Sequence, residues 1–504
     1  MTSSAAHRPI WLLFILAGSL LLAACKKEPP VSVVNTPLPP PAEVVSDSAL
    51  KILVVEDGLY RLSQQDLADA GLNLDQLDGQ QLALSLRGEP IPYLIEDNAI
   101  IFYATASDSR YSRINPYILR TGEAGMMMDN VATPTGGATI TAVRQSQTVE
   151  NNWLYEQRAA ETTMEDGSRP DTWFWQRVAN VGNSAVVDFT LELPAIAEDS
   201  AELNLNLWGL THIADIENDH DFDLLVNGEK VETVKFDGQI FFTSATEIPA
   251  ALLKEGSNTF TIDNSVAGNA PLDQFMFNSA ALTFSAQTKA VDHRLTFGDT
   301  EGNITIEQLG KSPVVLDISN PLQPQRIENV TVDGDAVTFG VAAETRIAAA
   351  GGDGFLQAAA VVPLIDSDLR ETTQQADLLI VTTRALAPEL DPLITARMTQ
   401  GLSVKVAFID EIYDEFSDGA VTPDAIQAFV TYAYNSWRAP APKYLFLVGD
   451  TTTDMLGNGA TRPENPVSPP TNLIPSPIVD VSHAGETVAD ARLVDVDGDL
   501  KPDL

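Results

Sequence analysis

One cysteine, Cys25, stands in a chain of 504 residues. No disulfide can form within the chain, so each folded module must be held by apolar burial and backbone hydrogen bonds. The same count leaves no thiol in the body beyond residue 25. Hydrophobic residues make up 44% and charged residues 20%, which suffices for buried cores and argues against wholesale disorder. The length suits several domains rather than one. Seventy acidic residues against 30 basic ones give a formal net charge of −40. Such a surface repels a phosphate backbone, so nucleic acid is excluded as a partner.

The surroundings of Cys25 are informative. Residues 1–9 carry Arg8 and no acid, and residues 10–22 are almost continuously apolar. A short apolar run after a basic start reads as an export signal, too short for a spanning helix. Leu22-Ala23-Ala24-Cys25 then resembles the bacterial lipobox, in which the chain is cut before the cysteine and the thiol is acylated. Residues 1–24 are on this reading a lipoprotein signal peptide, and the mature chain is tied to the membrane through Cys25, since several acyl chains anchor stably where one does not. The plainer alternative is an ordinary signal peptide with an incidental cysteine. Lys26 stands where an aspartate often retains lipoproteins at the inner membrane, so the resemblance favours the outer membrane. Residues 25–49 hold Pro29, Pro30, Pro37, Pro39, Pro40 and Pro41 and read as an extended tether.

Three β-rich stretches follow. In residues 50–148, Ile52-Leu53-Val54-Val55 starts a strand, Ser63 can cap a helix over 64–70, and short strands 82–86, 91–95 and 100–103 predict a small β-rich domain. Residues 149–287 predict a β-sandwich. Phe189, Leu191 and Leu193 alternate with polar neighbours, as do Leu203, Leu205 and Leu207, and Asn227-Gly228 marks a tight hairpin. Residues 288–375 predict a third β-module and connector. Many sandwich modules bind sugars; a structural spacer is the plainer reading.

The pattern changes at residue 376. Leu378-Leu379-Ile380-Val381 is an uninterrupted apolar strand. Asp391 and Pro392 open a helix that Gly401 ends, and Val404, Val406 and Phe408 form the next strand. Thr422-Pro423-Asp424 opens a second helix, with Ile426, Phe429, Val430, Ala433, Tyr434 and Trp437 on one core-facing stripe. A third buried strand follows at 444–448. This alternation predicts a parallel α/β sheet over residues 376–504.

Several pieces of this segment resemble the gingipain family of cysteine peptidases. They are Ala376-Asp377-Leu378-Leu379-Ile380-Val381-Thr382, Gly401-Leu402-Ser403-Val404, Ile412-Tyr413-Asp414-Glu415-Phe416, Ala425-Ile426-Gln427-Ala428-Phe429, Trp437 before Ala439-Pro440, and Tyr444-Leu445-Phe446-Leu447-Val448-Gly449-Asp450. Asp490, Asp497-Gly498-Asp499 and Pro502-Asp503 look like the family's next signature. Upstream, Gly58-Leu59-Tyr60-Arg61-Leu62 and the Asn227-Gly228 sandwich resemble its preceding β-modules. The fold class implied is multidomain: N-terminal β-rich modules including a β-sandwich, then an α/β caspase-like domain incomplete at the C-terminus. The implied activity is cysteine endopeptidase action on proteins or peptides. The family's catalytic histidine and cysteine would both lie beyond Leu504, so the expectation is a truncated precursor with no catalytic residue in this chain. The alternative is a non-catalytic adhesion or carbohydrate-binding lipoprotein of the cell surface.

Other chemistry is sparse. No His-Glu-x-x-His and no Gly-x-Ser-x-Gly occurs, so a zincin and a serine hydrolase lack their signatures. His212, Asp215, Asp219, His220 and Asp221 cluster along the chain, with a metal site weighed against solvated loops. Asp450 and Asp454 follow a strand end, where α/β sites form or loops are capped. Asp495, Asp497, Asp499 and Asp503 surround a glycine turn and are the calcium candidates, against a merely exposed acidic turn. No organic cofactor is expected.

Overall fold

The computed structural model describes residues 45–504, apart from 135, 163, 165–168, 182–184, 198–199, 266–269, 463–471 and 482–484. Strand β1 (Val45–Val54) begins inside the stretch expected to be tether, because its backbone pairs with partners on both sides. It joins a five-stranded antiparallel sheet through Asn115–Thr121 and through β2 (Ala360–Ile365), which returns from more than 300 positions along the chain. A three-stranded sheet, Gly58–Ser63, Ala99–Ala104 and Tyr93–Glu96, packs against it around Tyr60, Phe102 and Tyr117. Helix α1 (Gln64–Asp69) starts where sequence placed it. The Ser63 side chain accepts from Asp66 N, and Asp66 in turn accepts from Ser63 N, a reciprocal cap.

The sandwich consists of a six-stranded and a four-stranded antiparallel sheet. The strand Val186–Leu193 alternates strictly, with Phe189, Leu191 and Leu193 buried, as its period of two requires. Leu203, Leu205 and Leu207 face the same core from the other sheet. The hairpin pairs Val226 with Glu229, and Asn227 and Gly228 both take positive φ, 51° and 87°. That is the geometry a two-residue primed turn demands.

The third module is likewise two-layered, but its strands cross the boundaries expected from sequence. Asn130–Ala132 and Thr139–Ile140, within the stretch assigned to the first domain, pair in parallel with Gln325–Glu328 and Gly302–Ile306. Ala142–Glu150 already belongs to the sandwich, and β2 belongs to the first sheet. Parallel pairing between segments 164 and 196 positions apart leaves no local pattern to read. The first and third modules also share an apolar cluster, which joins Leu59, Leu94 and Tyr103 to Val314, Leu316 and Ile318.

The α/β segment has the expected parallel sheet. Strand β3 (Leu378–Thr382) lies between β4 (Val404–Phe408) and β5 (Tyr444–Val448), in the order β4-β3-β5. On one face Leu379 and Val381 pack with the helices α3 (Ile409–Phe416) and α4 (Pro423–Ser436). On the other, Leu378 and Ile380 meet Leu393 and Ile394 of α2 (Asp391–Thr399). The α4 stripe is core, with Ile426, Phe429, Val430 and Ala433 fully buried, and Thr422 caps it by accepting from Asp424 N. Three details differ from expectation. Asp391 makes no side-chain cap, because a 3-10 turn over Ala387–Leu390 runs straight into α2. Helix α3 follows β4 without a loop. Strand β5 is buried on one face at most: Leu445 and Leu447 pack against the core, while Tyr444 is 54% and Phe446 45% exposed, since among the described residues β5 is the edge of the sheet. A cluster around Asp377 clasps the entry to all three strands. It accepts from Ser403 N at 3.0 Å, from Ser403 Oγ at 2.7 Å and from Lys443 Nζ at 2.8 Å. These partners hold its carboxyl well below the usual range, Lys443 foremost.

Candidate functional site

In parallel α/β sheets, sites form beyond the carboxyl ends of the strands. Here those ends carry Thr383 and Arg384 after β3 and Gly449 and Asp450 after β5. Arg384 is engaged: its Nε donates to Asp410 Oδ2 at 3.0 Å and its Nη2 to Glu411 Oε1 at 2.7 Å, both in the first turn of α3. It also lies over the Phe408 ring at 4.4 Å. Asp454 performs the capping role, accepting from Asn458 N at 2.7 Å and Gly459 N at 2.9 Å.

The hairpin of β6 (Ile478–Val481) and β7 (Gly485–Val488) lies beside this region. Its Glu486 side chain is 1% exposed and accepts four hydrogen bonds. Arg110 Nη2 at 2.8 Å and Arg169 Nη2 at 2.6 Å donate to Oε1. Tyr155 Oη at 2.9 Å and Thr172 Oγ1 at 3.4 Å donate to Oε2. Burial alone would raise the Glu486 pKa, but Arg110, Tyr155 and Arg169 outweigh it and hold it below the ordinary value. The Tyr155 hydroxyl is pushed up to about 12, by burial first and then by its bond to Glu486. Sequence reasoning missed this cluster, and with 376 positions between Arg110 and Glu486 no local signal could have shown it.

The terminal acidic loop brings three of its four candidate carboxylates together. Asp495, Asp497 and Asp503 bring carboxylate oxygens within 4.8 Å of one another. Asp499 is not in this group and instead accepts from Lys501 Nζ at 2.7 Å. Asp495 is 4% exposed and accepts from Gly498 N at 2.8 Å and Leu500 N at 3.0 Å. Asp503 accepts from Val496 N at 2.8 Å. Gln427 of α4 donates to the Asp495 carbonyl at 2.9 Å, which ties the loop to the α/β core.

The sandwich acids and histidines separate into two groups. His212, Asp219 and Asp237 come within ligating reach of one another. Asp237 was not singled out from sequence; the pairing of His220 with Phe236 across the hairpin delivers it. His220 turns inward, with Nδ1 2.6 Å from Asp273 Oδ1 and Nε2 3.1 Å from the Thr211 carbonyl. Asp215 and Asp221 join neither set of candidate ligands. Cys25, the expected lipidation site, lies outside the described residues.

The architecture is thus a series of β-modules leading into a parallel α/β unit. Residues 371–504, which contain that unit, match the family model of Peptidase family C25, the gingipain family. Among solved structures, dimeric latent PorU from Porphyromonas gingivalis is similar in fold, with a TM-score of 0.64 and 17% identity over 90% of this chain. The match covers 46% of that structure, so this chain spans under half of its length. The CBM36-1 domain of a xylanase from the hindgut metagenome of Trinervitermes trinervoides overlaps 27% of this chain and 96% of its own, at 13% identity and a TM-score of 0.18. A CBM36 module in complex with calcium and xylotriose overlaps 27% and 98%, at 12% identity and a TM-score of 0.17. Scores this low carry no argument about fold or ligand. No curated protein matches the chain.

Proposed function

We propose that this chain is an exported lipoprotein of the cell envelope whose β-modules carry the opening of a gingipain-type cysteine endopeptidase domain. The observation that supports the reading is a coincidence of two independent kinds of evidence. The family match over residues 371–504 falls on the parallel sheet β4-β3-β5 and its helices. Peptide hydrolysis of this type needs a thiolate and a base beside it. Cys25 is the one cysteine of the 504 residues and is assigned here to acylation, so the nucleophile would be supplied by sequence beyond Leu504. Proteins or peptides are then the substrates. The membrane is reached through lipid on Cys25, and Lys26 favours the outer membrane.

Calcium is the proposed ion of the terminal loop. A hard cation suits oxygen ligands, and Asp495, Asp497 and Asp503 repel one another until one neutralises them. The chain ending at Leu504 should hydrolyse no peptide in a thiol-dependent way. Iodoacetamide-sensitive cleavage by that purified chain would overturn the assignment of the nucleophile.

A further inference from the structure

The apolar cores of this protein are unevenly shared. The first and third modules are fused by a common cluster. Among the described residues, the two clusters of the α/β segment draw on residues 369–504 alone. Among these residues, no buried apolar cluster therefore welds this segment to the modules. Where such a weld is lacking, relative motion between domains is the default. What crosses the boundary is mainly polar. Lys51 Nζ of β1 lies 2.6 and 2.8 Å from the two Asp414 oxygens of α3, and Ile365 N donates to Asp414 Oδ2 at 2.7 Å. Arg113 Nη2 donates to Asn458 Oδ1 at 2.5 Å, and Tyr111 Oη accepts from Ile478 N at 3.1 Å. Glu486 gathers the four bonds described above.

These contacts differ in kind. Asp414 sits beside the covalent passage out of β2, so the chain itself keeps that contact in place. Glu486 has no such tether: among the described residues, the partners of its carboxylate are side chains of the first module and the sandwich. A cleft of about 500 Å³ is lined both by Arg110 and Tyr111 and by Phe416 and Asp418, so it borders the two attachments. A covalently pinned edge, a polar edge and a cleft between them are the parts of a hinge and a latch.

We infer that Glu486 is a latch: its carboxylate, gripped by Arg110, Arg169, Tyr155 and Thr172, fastens the β6–β7 hairpin to the β-modules, and its release lets the α/β segment swing about the Asp414 attachment. Because Thr453, Met455, Leu456 and Asn458, which follow the carboxyl end of β5, line one pocket with Glu486, the latch controls access to the face where α/β sites form. The inference rests on geometry within this chain and not on any peptidase activity.

The test is hydrogen exchange on the full chain, in wild type and Glu486→Gln. Glutamine keeps the length but places an amide where two arginines need an anion. Loss of charge-assisted bonds to a buried carboxylate should accelerate exchange about tenfold or more in 478–488 and 450–461. Strands 274–287 and 115–121, and residues 360–365 at the hinge, should keep wild-type rates. Unchanged exchange in the hairpin would overturn the latch, and so would equal acceleration in the sandwich, which would make Glu486 a general stabiliser. If Glu486→Gln does not fold, Tyr155→Phe decides: it removes one bond from Oε2, and the same local pattern at smaller amplitude is required.

Discussion

Lys51 and Asp414 form a buried ion pair across 363 positions, with Nζ 2.6 Å from Oδ1 and the two side chains 14% and 2% exposed. Burial raises the Asp414 pKa even with Lys51 beside it, so this carboxylate tolerates its site only while the ammonium stays. Removing one partner of such a pair strands the other charge, which costs roughly 3–5 kcal/mol. Lys51→Met should therefore destabilise the full chain by about 3 kcal/mol in urea unfolding. Lys51→Met/Asp414→Leu should recover much of that loss. A double variant as unstable as the single one would show that the charges are not what couples β1 to α3.

The Glu486 latch should open in acid. A carboxyl whose folded-state pKa lies below its unfolded value binds fewer protons when folded. Its contribution is present above the ordinary value of 4.5 and is lost as pH falls through the lowered one. The groups facing it are Arg110, Arg169 and Tyr155; Asp480 shares Arg169, and Asp171, itself raised by burial, adds a repulsive charge. Protection factors in 478–488 should therefore fall below pH 4.5 in wild type and stay low and flat in Glu486→Gln. Parallel profiles in the two proteins would assign the acid response to other carboxylates.

Much of the fold could be read from short-range pattern. The α4 stripe, the β3 run, the Asn227-Gly228 turn and the Ser63 cap were all legible, since each depends on residues within a turn or strand of one another. What long-range pairing decides was not. The strand 130–132 joins the third module and β2 joins the first, because backbone groups there find partners some 200 or 300 positions away. The exposure of Tyr444 and Phe446 follows from the place of β5 in the strand order, which an apolar run cannot report. For the sites, the terminal acids were visible as a motif, whereas Asp499 turns to Lys501 and Asp237 arrives only through hairpin register.

The terminal loop predicts a differential calcium response. Binding to the folded state alone stabilises by RT ln(1 + [Ca²⁺]/Kd), about 2.7 kcal/mol at a hundredfold excess. Melting of wild type should rise with Ca²⁺ relative to chelator, and Asp497→Asn/Asp503→Asn should lose that rise. An equal shift in both proteins would place the ion elsewhere, with His212, Asp219 and Asp237 the next set to vary.

Anchoring depends on one residue. On the proposed lipoprotein reading, Cys25→Ser removes the thiol that would take the acyl chains, whose burial would hold the protein at the membrane. The variant should appear in the soluble fraction and incorporate no labelled fatty acid. A variant that stays wholly in the membrane fraction, beside a wild type that takes up no label, would refute lipidation at Cys25.

The most direct test of the account is to treat the native product, isolated from its cells, with a thiol-directed peptidyl probe and map the modified residue by mass spectrometry. The account predicts covalent labelling of a single cysteine encoded beyond Leu504, on a polypeptide that also contains residues 371–504. A native product that reacts with no such probe, and whose mass is accounted for by the sequence through Leu504, would contradict the peptidase reading and leave a non-catalytic surface lipoprotein.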